Sequence, residues 1–353
     1  MIVIFIIVAF IIGVALFINL HPVFGGKPDK MALKRMEASS NYKDGVFVNM
    51  ETTKVMGENN SMFSTMIEWI KGPENGTPDS IETLKFNKEK FVTKVDSNYR
   101  ITWFGHSTVM INMFDKVILT DPVFSDYASP LPFTNRSFKY TNPYTVDDLP
   151  EIDYLLISHD HYDHLDWRTI EKLDKKVKAY YVPLGVESHL ISWGVDPAKI
   201  HVADWWEEFK VDENITLVST PARHFSGRAF TRNTTLWCSW VIKSDEGSIF
   251  FGADSGYGKH FKLIGDKYGP FVSTFIECGQ YNKNWANIHA MPEQSVQAHI
   301  DLKGDKMFTI HWGKFQLALH SWTDPIERAR KESSIKGVNL VEPVIGDVVS
   351  MEY

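Results

Sequence analysis

Residues 153–166 read DYLLISHDHYDHLD, in which an apolar run passes directly into a cluster of histidines and aspartates. The apolar half has the composition of a buried strand. Side chains two positions apart on an extended chain point the same way, so His159 and His161 can reach one metal ion. A turn into the following helix can direct Asp163 and His164 to a second metal beside the first. The stretch therefore predicts a metal site at the end of a core strand.

A solvated polar turn is the competing interpretation of this cluster. A chance HxHxDH pattern would occur on the order of once per thousand chains of this size. A polar turn also gives no reason for three histidines to follow a core strand so closely. We therefore take the metal site as the leading hypothesis.

The composition is that of a globular protein: 44% of the 353 residues are hydrophobic and 23% are charged. The length allows one large domain or two small ones. The formal net charge of -7 gives no reason to expect nucleic acid as the main partner, because nucleic-acid-binding proteins usually present a basic face.

The two cysteines, Cys238 and Cys278, lie in apolar, strand-like runs and have no spacing typical of a thiolate metal site. Buried thiols are the favoured interpretation, and a single disulfide stays open as an alternative. A metal site must therefore be built from carboxylates and from some of the 13 histidines.

The first 22 residues contain the apolar run Ile2–Leu20, and the first charged side chain is Lys27. Nineteen helical residues span about 28 Å, close to the thickness of the hydrocarbon core of a bilayer. A signal peptide fits less well, because no basic residue precedes the run and no small-x-small site follows it. A buried core helix would show a polar face. We predict a single-pass anchor over residues 1–22. Residues 2–20 contain no metal ligand, so their deletion should leave the site undisturbed, and a chain that begins near Lys27 should keep most of its activity on a soluble substrate.

Basic residues follow this run, and only the α-amino group precedes it. Because positive charge tends to stay in the cytoplasm, we expect the catalytic domain to face the cytoplasm. Residues 23–99 are mixed and polar and are predicted to form a linker and an N-terminal extension packed on the main domain. Within them, Met62–Ile70 shows the pattern of a short amphipathic helix.

Residues 100–353 alternate β-rich runs with helical patterns, which predicts a layered α/β domain with two sheets at its centre. The predicted strands are 101–111, 116–121, 153–158, 178–183, 214–220, 236–242, 248–254, 273–277, 306–312 and 338–352. Helices are predicted near 166–175, 185–193, 292–302 and 324–335, with Pro292 at the first helical position and Asp324 as an N-cap.

The stretch HDHYDH resembles the HxHxDH signature of the metallo-β-lactamase superfamily, and TPARHFSGR, FFGADSGY and FTIHWGKF follow in that superfamily's order. The resemblance implies an αββα sandwich that holds two metal ions. It implies that His159, His161 and His224 hold the first metal, that Asp163, His164 and His311 hold the second, and that Asp254 bridges them. Such ligands suit two Zn²⁺ ions and tolerate Mn²⁺ or Fe²⁺.

Within the superfamily, the chain resembles the N-acylphosphatidylethanolamine-hydrolysing phospholipase D group, in its bacterial form, through ITWFGHSTVMI, LTDPVFS and FTIHWGKFQLA among other stretches. This resemblance implies a zinc-dependent phosphodiesterase that acts on such lipids through a water activated between the metals. It is compatible with a homodimer. A lactonase or carboxyl-ester hydrolase on the same metals is the nearest alternative, and a nuclease or a non-catalytic membrane scaffold is further away.

The resemblance assigns catalytic roles to Asp163, Asp254 and His289, although His289 could equally be an exposed loop residue. Asp121 is either a carboxylate that orients a ligand histidine or a turn-forming residue before a proline. His106 either lines the pocket or is a hydrogen-bonded core histidine, and we favour the pocket. Tyr162, between the ligands, is expected to contact substrate.

Two segments depart from the phospholipase D group. FIECG carries Glu277 and Cys278 where that group has a more neutral strand end, and the loop at 281–288 also differs. We expect both segments to face the substrate.

Overall fold

The structure is a computed structural model of the chain, and it describes residues 1–56, 71–94 and 98–353. The helix predicted at Met62–Ile70 lies outside the described residues. The N-terminal part contains α1 (Ile2–Leu20), α2 (Lys30–Ala38), a hairpin of β1 (Tyr42–Lys43) and β2 (Val46–Phe47), and α3 (Lys88–Val92). Among the described residues, α1 alone is long and apolar enough to span a membrane.

The first of two seven-stranded sheets in the described residues has the order β16-β3-β4-β5-β6-β7-β8. Its strands are β3 (Asn98–Trp103), β4 (Val109–Met113), β5 (Lys116–Thr120), β6 (Ile152–Leu156), β7 (Val177–Pro183), β8 (Ile200–Ala203) and β16 (Val349–Glu352). Strands β5 to β8 run parallel to one another, and the remaining pairs are antiparallel. Helices α4 (Trp167–Leu173) and α5 (Glu187–Ser192) cover its outer face.

The second sheet has the order β15-β14-β13-β12-β11-β10-β9. Its strands are β9 (Glu208–Lys210), β10 (Thr216–Thr220), β11 (Ser239–Lys243), β12 (Ser248–Phe251), β13 (Phe271–Glu277), β14 (Gly304–Ile310) and β15 (Asn339–Val341). Helices α6 (His260–Tyr268) and α7 (Pro292–Asp301) pack on its outer face, and α8 (Asp324–Lys336) packs on α7. The two sheets face each other, so the predicted αββα sandwich is confirmed.

The central core lies between the two sheets, where side chains such as Ile111, Leu156, Trp240 and Phe275 are buried together. Because helices also cover the outer faces, central strands are buried on both sides. This explains why their sequences read as continuous apolar runs rather than alternating ones, as in SIFF of β12. Both cysteines are free and buried.

The prediction of a single strand over 101–111 is wrong. The chain reverses between β3 and β4, where Gly105 and His106 have φ angles of +86° and +52° and the Phe104 amide donates to the Thr108 carbonyl. A left-handed backbone at two successive residues forms a tight turn, and the flanking β-branched and aromatic residues hide it in the sequence.

The C-terminal prediction also needs correction. The run 338–352 forms two strands, β15 in the second sheet and β16 in the first, with Gly346 at a φ of +87° between them. Pro292 begins its helix as predicted, but Asp324 is the first residue of α8 and Thr323 is its N-cap. Helices α2, α3 and α6 and the short strands β8 and β9 were not predicted.

Trp240 joins the two sheets directly. It is fully buried on β11, and its indole N–H donates to the Ile157 carbonyl at 2.9 Å, immediately before the histidine-rich stretch. Trp240→Phe should lower the free energy of unfolding by about 1–3 kcal/mol, because the buried carbonyl loses its donor. Trp240→Ala should cost about 3–5 kcal/mol through the added cavity.

Urea denaturation in detergent micelles, followed by circular dichroism, measures both losses. Ile335→Ala, at an apolar side chain that is exposed on α8, is the control and should change stability by less than about 0.5 kcal/mol. If Trp240→Phe behaves like this control, the indole bond does not stabilise the sandwich.

Candidate metal centre

The predicted ligands follow the carboxyl ends of strands from both sheets. His159–His164 follow β6, His224 follows β10, Asp254 follows β12 and His311 follows β14. Strands β10, β12 and β14 point in one direction, because β10 and β12 are both antiparallel to β11 and β14 runs parallel to its neighbour. Their carboxyl ends therefore meet at one edge of the sandwich.

The first cluster consists of His159, His161, His224 and Asp254, which offer ligand atoms that all lie within 4.8 Å of one another. His161 Nδ1 is 2.8 Å from His159 Nε2 and 3.2 Å from His224 Nε2. Asp254 Oδ2 is 3.8 Å from His159 Nε2 and 3.6 Å from His224 Nε2. Three imidazole nitrogens and one carboxylate oxygen thus converge on one point.

A second cluster, which offers ligand atoms at the same spacing, consists of His106, Asp163, His164 and His311. Asp254 reaches this cluster too: its Oδ1 is 3.2 Å from His164 Nε2, and its Oδ2 is 3.2 Å from His311 Nε2. The Asp254 carboxylate therefore lies between the two clusters, where a carboxylate shared by two cations would be placed.

The chemistry of the donors fits divalent cations. Among the described residues, His164 Nε2 and Asp254 Oδ1 are buried atoms without a hydrogen-bond partner, although they face each other. Leaving buried polar atoms unpaired is costly, and a cation between them would satisfy both. Imidazole nitrogens with carboxylate oxygens are the ligands typical of zinc, manganese and iron.

The protonation states of three first-cluster residues, His159, His224 and Asp254, suit metal binding. Burial opposes ionisation of Asp254, but His164 and His311 outweigh it and hold its pKa well below the usual range. Burial lowers the pKa of His159 well below its usual value, and the neighbouring histidines lower it further. Burial also lowers the pKa of His224 well below its usual value, although the nearby Asp254 opposes this shift. The carboxylate is thus ionised and the two imidazoles are neutral at neutral pH, which are the forms that bind a cation.

Asp121 holds two of the predicted ligands in place. Its fully buried carboxylate accepts hydrogen bonds from the Ser158 amide at 2.8 Å and the Ser158 hydroxyl at 2.6 Å, and it lies 2.8 Å from His164 Nδ1. Ser158 Oγ in turn is 2.9 Å from His159 Nδ1. This geometry agrees with the interpretation of Asp121 as an orienting carboxylate, since it leaves each Nε2 to point at the clusters.

His106 is fully buried, and its Nε2 lies 2.8 Å from Asp163 Oδ2. Burial and the nearby His311 lower its pKa to about 3, so it is neutral and can donate this hydrogen bond. It is not among the residues that line the cavity, so its position fits the hydrogen-bonded core alternative better than the pocket interpretation favoured from the sequence.

Glu277 is a site residue whose role the sequence did not reveal. One carboxylate oxygen accepts from the amides of Ser255 and Ala290, and the other lies 2.7 Å from His289 Nδ1 and 3.3 Å from His311 Nδ1. The expectation that Glu277 and Cys278 face the substrate is wrong, because both are buried. A carboxylate at the end of the apolar run STFIE was the available signal.

A cavity of about 370 Å³ opens onto the clusters. His161, Asp163, Asp254 and His311 line it on one side, together with Tyr162 and His289. Most of the remaining lining residues are apolar, among them Val55, Met56, Phe225, Trp285, Ile288 and Leu317, and Asn135, Arg232 and Gln280 add polar groups. The loop 281–288 thus faces the cavity through Trp285 and Ile288, as expected for a segment that contacts substrate.

Arg228 ties the residues after α1 to the metal-ligand loop. The guanidinium is buried and donates to the Val23 carbonyl at 3.0 and 2.6 Å, to the Asp160 carbonyl at 2.6 Å and to the Leu165 carbonyl at 2.9 Å. It also lies over the Tyr162 ring, 4.2 Å from its centroid. One side chain thus holds the ligand loop at both ends, and the residues directly after α1 help to position that side chain.

A family model described as a β-lactamase superfamily domain matches residues 116–312, the part of the chain that carries every predicted ligand. The chain belongs to this superfamily. Igni18, a metallohydrolase of the archaeon Ignicoccus hospitalis, has a similar fold. It superposes on this chain with a TM-score of 0.58 at 20% identity, over 72% of this chain and 99% of Igni18.

Among curated relatives, an uncharacterised protein of Mycobacterium tuberculosis is 38% identical over 317 residues, 89% of this chain and 85% of the relative. N-acyl-phosphatidylethanolamine-hydrolyzing phospholipase D 1 of Caenorhabditis elegans is 31% identical over 63% of this chain and 66% of the relative. The mitochondrial enzyme of that name from Saccharomyces cerevisiae is 32% identical over 64% of this chain and 50% of the relative.

Asp121→Asn should weaken metal binding by about 10–100-fold, because the amide cannot accept from His164 and Ser158 as the carboxylate does. Competition with a chelating indicator dye measures the affinity. Asp126→Asn, an equal change of charge at an exposed position five residues away, is the control and should bind metal normally. Equal affinities in the two variants would contradict the orienting role of Asp121.

Arg228→Met should lower the free energy of unfolding by about 3 kcal/mol or more, because three buried carbonyls lose their donor while the aliphatic stem is kept. Urea denaturation tests this. The same contacts bear on the expectation that a chain beginning near Lys27 keeps an undisturbed site. A chain beginning at Leu20 keeps the Val23 carbonyl, whereas one beginning at Lys27 loses this acceptor of the Arg228 bonds. We expect the shorter chain alone to lose stability and metal affinity, and equal behaviour of the two would contradict the role of Val23.

Proposed function

We propose that the protein is a membrane-anchored, binuclear zinc hydrolase that cleaves the distal phosphate ester of N-acylphosphatidylethanolamine-like lipids. The products would be phosphatidic acid and an N-acylethanolamine. The observation that carries the proposal is the Asp254 carboxylate, which lies within 4 Å of histidine nitrogens from both clusters. The names of the Caenorhabditis and Saccharomyces relatives support the choice of substrate.

The residues have distinct roles in this proposal. His159, His161 and His224 would hold one metal, Asp163, His164 and His311 the other, and Asp254 both. When bound, the pair of metals supplies Lewis-acid activation of water and stabilises charge on the phosphoryl oxygens. The protein's part is to hold these ligands rigidly in a largely buried site, which Asp121 and Glu277 do through their hydrogen bonds.

His289 is our candidate for direct contact with the substrate. Its Nδ1 is held by Glu277, and its ring stacks at 5.1 Å on that of His311 and lines the cavity. This leaves Nε2 available to bond a phosphoryl oxygen or to give a proton to the departing alcohol. The arrangement of a base oriented by a buried carboxylate recurs in general acid–base catalysis.

The cavity is suited to part of a lipid. Its apolar wall fits the start of an acyl chain, and Arg232 also lines it and can pair with a phosphate. A volume of about 370 Å³ lies at the lower end of the range for small-ligand sites, so it fits a head group better than a whole diacyl lipid. The rest of such a substrate would stay in the bilayer.

The anchor gives the enzyme access to that bilayer. No residue of α1 is buried against the body, and the chain directly after it is fixed to the body by the bond from the Trp193 indole to the Pro22 carbonyl. This docking supports a retained anchor over a removed signal peptide. Lys27, Lys30 and Lys34 follow the helix, which supports a catalytic domain on the cytoplasmic side.

Full-length protein in detergent should contain about two zinc ions per chain and should convert N-acylphosphatidylethanolamine to phosphatidic acid. In heavy-oxygen water the label should enter phosphatidic acid, because water attacks phosphorus. Mass spectrometry of the products and elemental analysis measure these outcomes. Asp254→Ala should abolish turnover and lose metal.

Asp305→Ala removes an exposed carboxylate from the second sheet and is the matched control, which should keep both properties. Label in the released alcohol would contradict attack at phosphorus. Fast hydrolysis of lactones without any attack on the phosphodiester would replace the proposal by the lactonase alternative.

A further inference from the structure

We propose that two loops beside the metal cavity, residues 128–135 and 225–232, form a bilayer-facing surface whose apolar tips insert into the membrane that holds α1. The partner of this surface is the lipid interface itself. The inference rests on the membrane anchoring put forward above and adds to it a second, separate contact with the bilayer.

The tips of the two loops carry large apolar side chains that are open to solvent. Phe133 is 71% exposed and Phe230 is 88% exposed, and Leu131 beside Phe133 is 38% exposed. Single exposed apolar residues are common on soluble proteins and need no explanation. These three lie on loops that border the same two cavities, and an apolar set at one place marks an interaction surface.

The position of the end of α1 indicates at which level of the membrane this surface would lie. A cavity of about 210 Å³ is lined by Phe17 and His21 from the end of the helix and by Leu131 and Pro132 from the first loop. Phe17 precedes the last residue of α1 by three positions, about 4.5 Å along the helix axis. If α1 fills the hydrocarbon core, the first loop therefore reaches the edge of that core.

The second loop reaches the same place through Arg228. This residue lines the cavity with Phe17, and Phe230 follows it by two positions. The Ala229 amide between them donates to the Tyr162 hydroxyl, which fixes the base of the loop. Both exposed phenylalanines thus lie on short loops that border the cavity at the C-terminal end of α1.

Basic side chains at this surface suit lipid head groups. Arg168 lines the cavity beside Phe17, and Arg232 of the second loop lines the metal cavity. Lys27, Lys30 and Lys34 are exposed in the segment that follows α1. Basic side chains at the level of the head groups attract anionic lipids. Aromatic tips with basic side chains beside them are typical of a protein surface that lies in the lipid interface.

The surface is also connected to the cavity at the candidate metal centre. Tyr162 lines both the cavity at the end of α1 and the cavity at the metal centre. The same two loops contribute Ala128, Asn135, Phe225 and Arg232 to the metal cavity. A lipid held at this surface would therefore have its head group next to the ligands while its chains remain in the bilayer.

Site-specific labelling of the full-length protein tests the proposal. An environment-sensitive nitrobenzoxadiazole dye is attached to Phe133→Cys or Phe230→Cys, and the native cysteines stay unlabelled because both are buried. The protein is reconstituted into vesicles of phosphatidylcholine and phosphatidylglycerol with or without chain-brominated lipid. We expect blue-shifted emission and quenching at both tips several-fold greater than at Ile335→Cys, a matched control that is 67% exposed on α8.

Phe10→Cys within α1 reports separately on the anchor, since its side chain is 70% exposed along the apolar helix. Quenching at position 10 with water-like emission at both tips would overturn this proposal and leave the anchoring intact. The absence of quenching at position 10 as well as at the tips would overturn both. Because the readout does not depend on turnover, neither result bears on the identity of the substrate.

Discussion

The structure depends on the burial of four carboxyl groups among histidines at the edge where both sheets end. Asp121, Asp163, Asp254 and Glu277 all lie there, and three of them are almost fully removed from water. Burying an unpaired carboxylate costs several kcal/mol, so each needs donors or a cation beside it. The sandwich supplies those donors from residues that follow strand ends in both sheets. The candidate ligands therefore lie directly after β6, β10, β12 and β14 in the sequence.

The sequence was sufficient to predict the fold and to select candidate ligands that the structure brings together, because both leave strong local signals. The stretch HDHYDH at 159–164 places candidate metal ligands directly after an apolar strand, and each later candidate ligand follows the end of another strand. The turn at Gly105 and His106 was missed because it depends on backbone conformation, and the residues on either side favour a strand. The strands β8 and β9 have only a few residues each and give too short a pattern to detect.

The residues that orient the site were harder to predict than the ligands themselves. Glu277 acts through His289 and His311, which are 12 and 34 positions away, and no local pattern reports such a contact. Arg228 is similar: it bonds to carbonyls of Val23 and Asp160, and a carbonyl group is the same in every residue type. A residue that accepts a hydrogen bond through its backbone carbonyl can be of any type. Such contacts therefore cannot be predicted from the sequence, and only the three-dimensional structure reveals them.

Arg228 links the position of α1 to the metal centre. A flexible tether would only raise the local concentration of substrate. Here the guanidinium fixes the Val23 carbonyl and both ends of the ligand loop at once, and Tyr162 packs against it between two cavities. The body therefore has a defined orientation relative to the end of α1. If α1 spans a bilayer, as we propose, the same contacts also fix the orientation of the metal centre relative to the membrane surface from which a lipid substrate would approach.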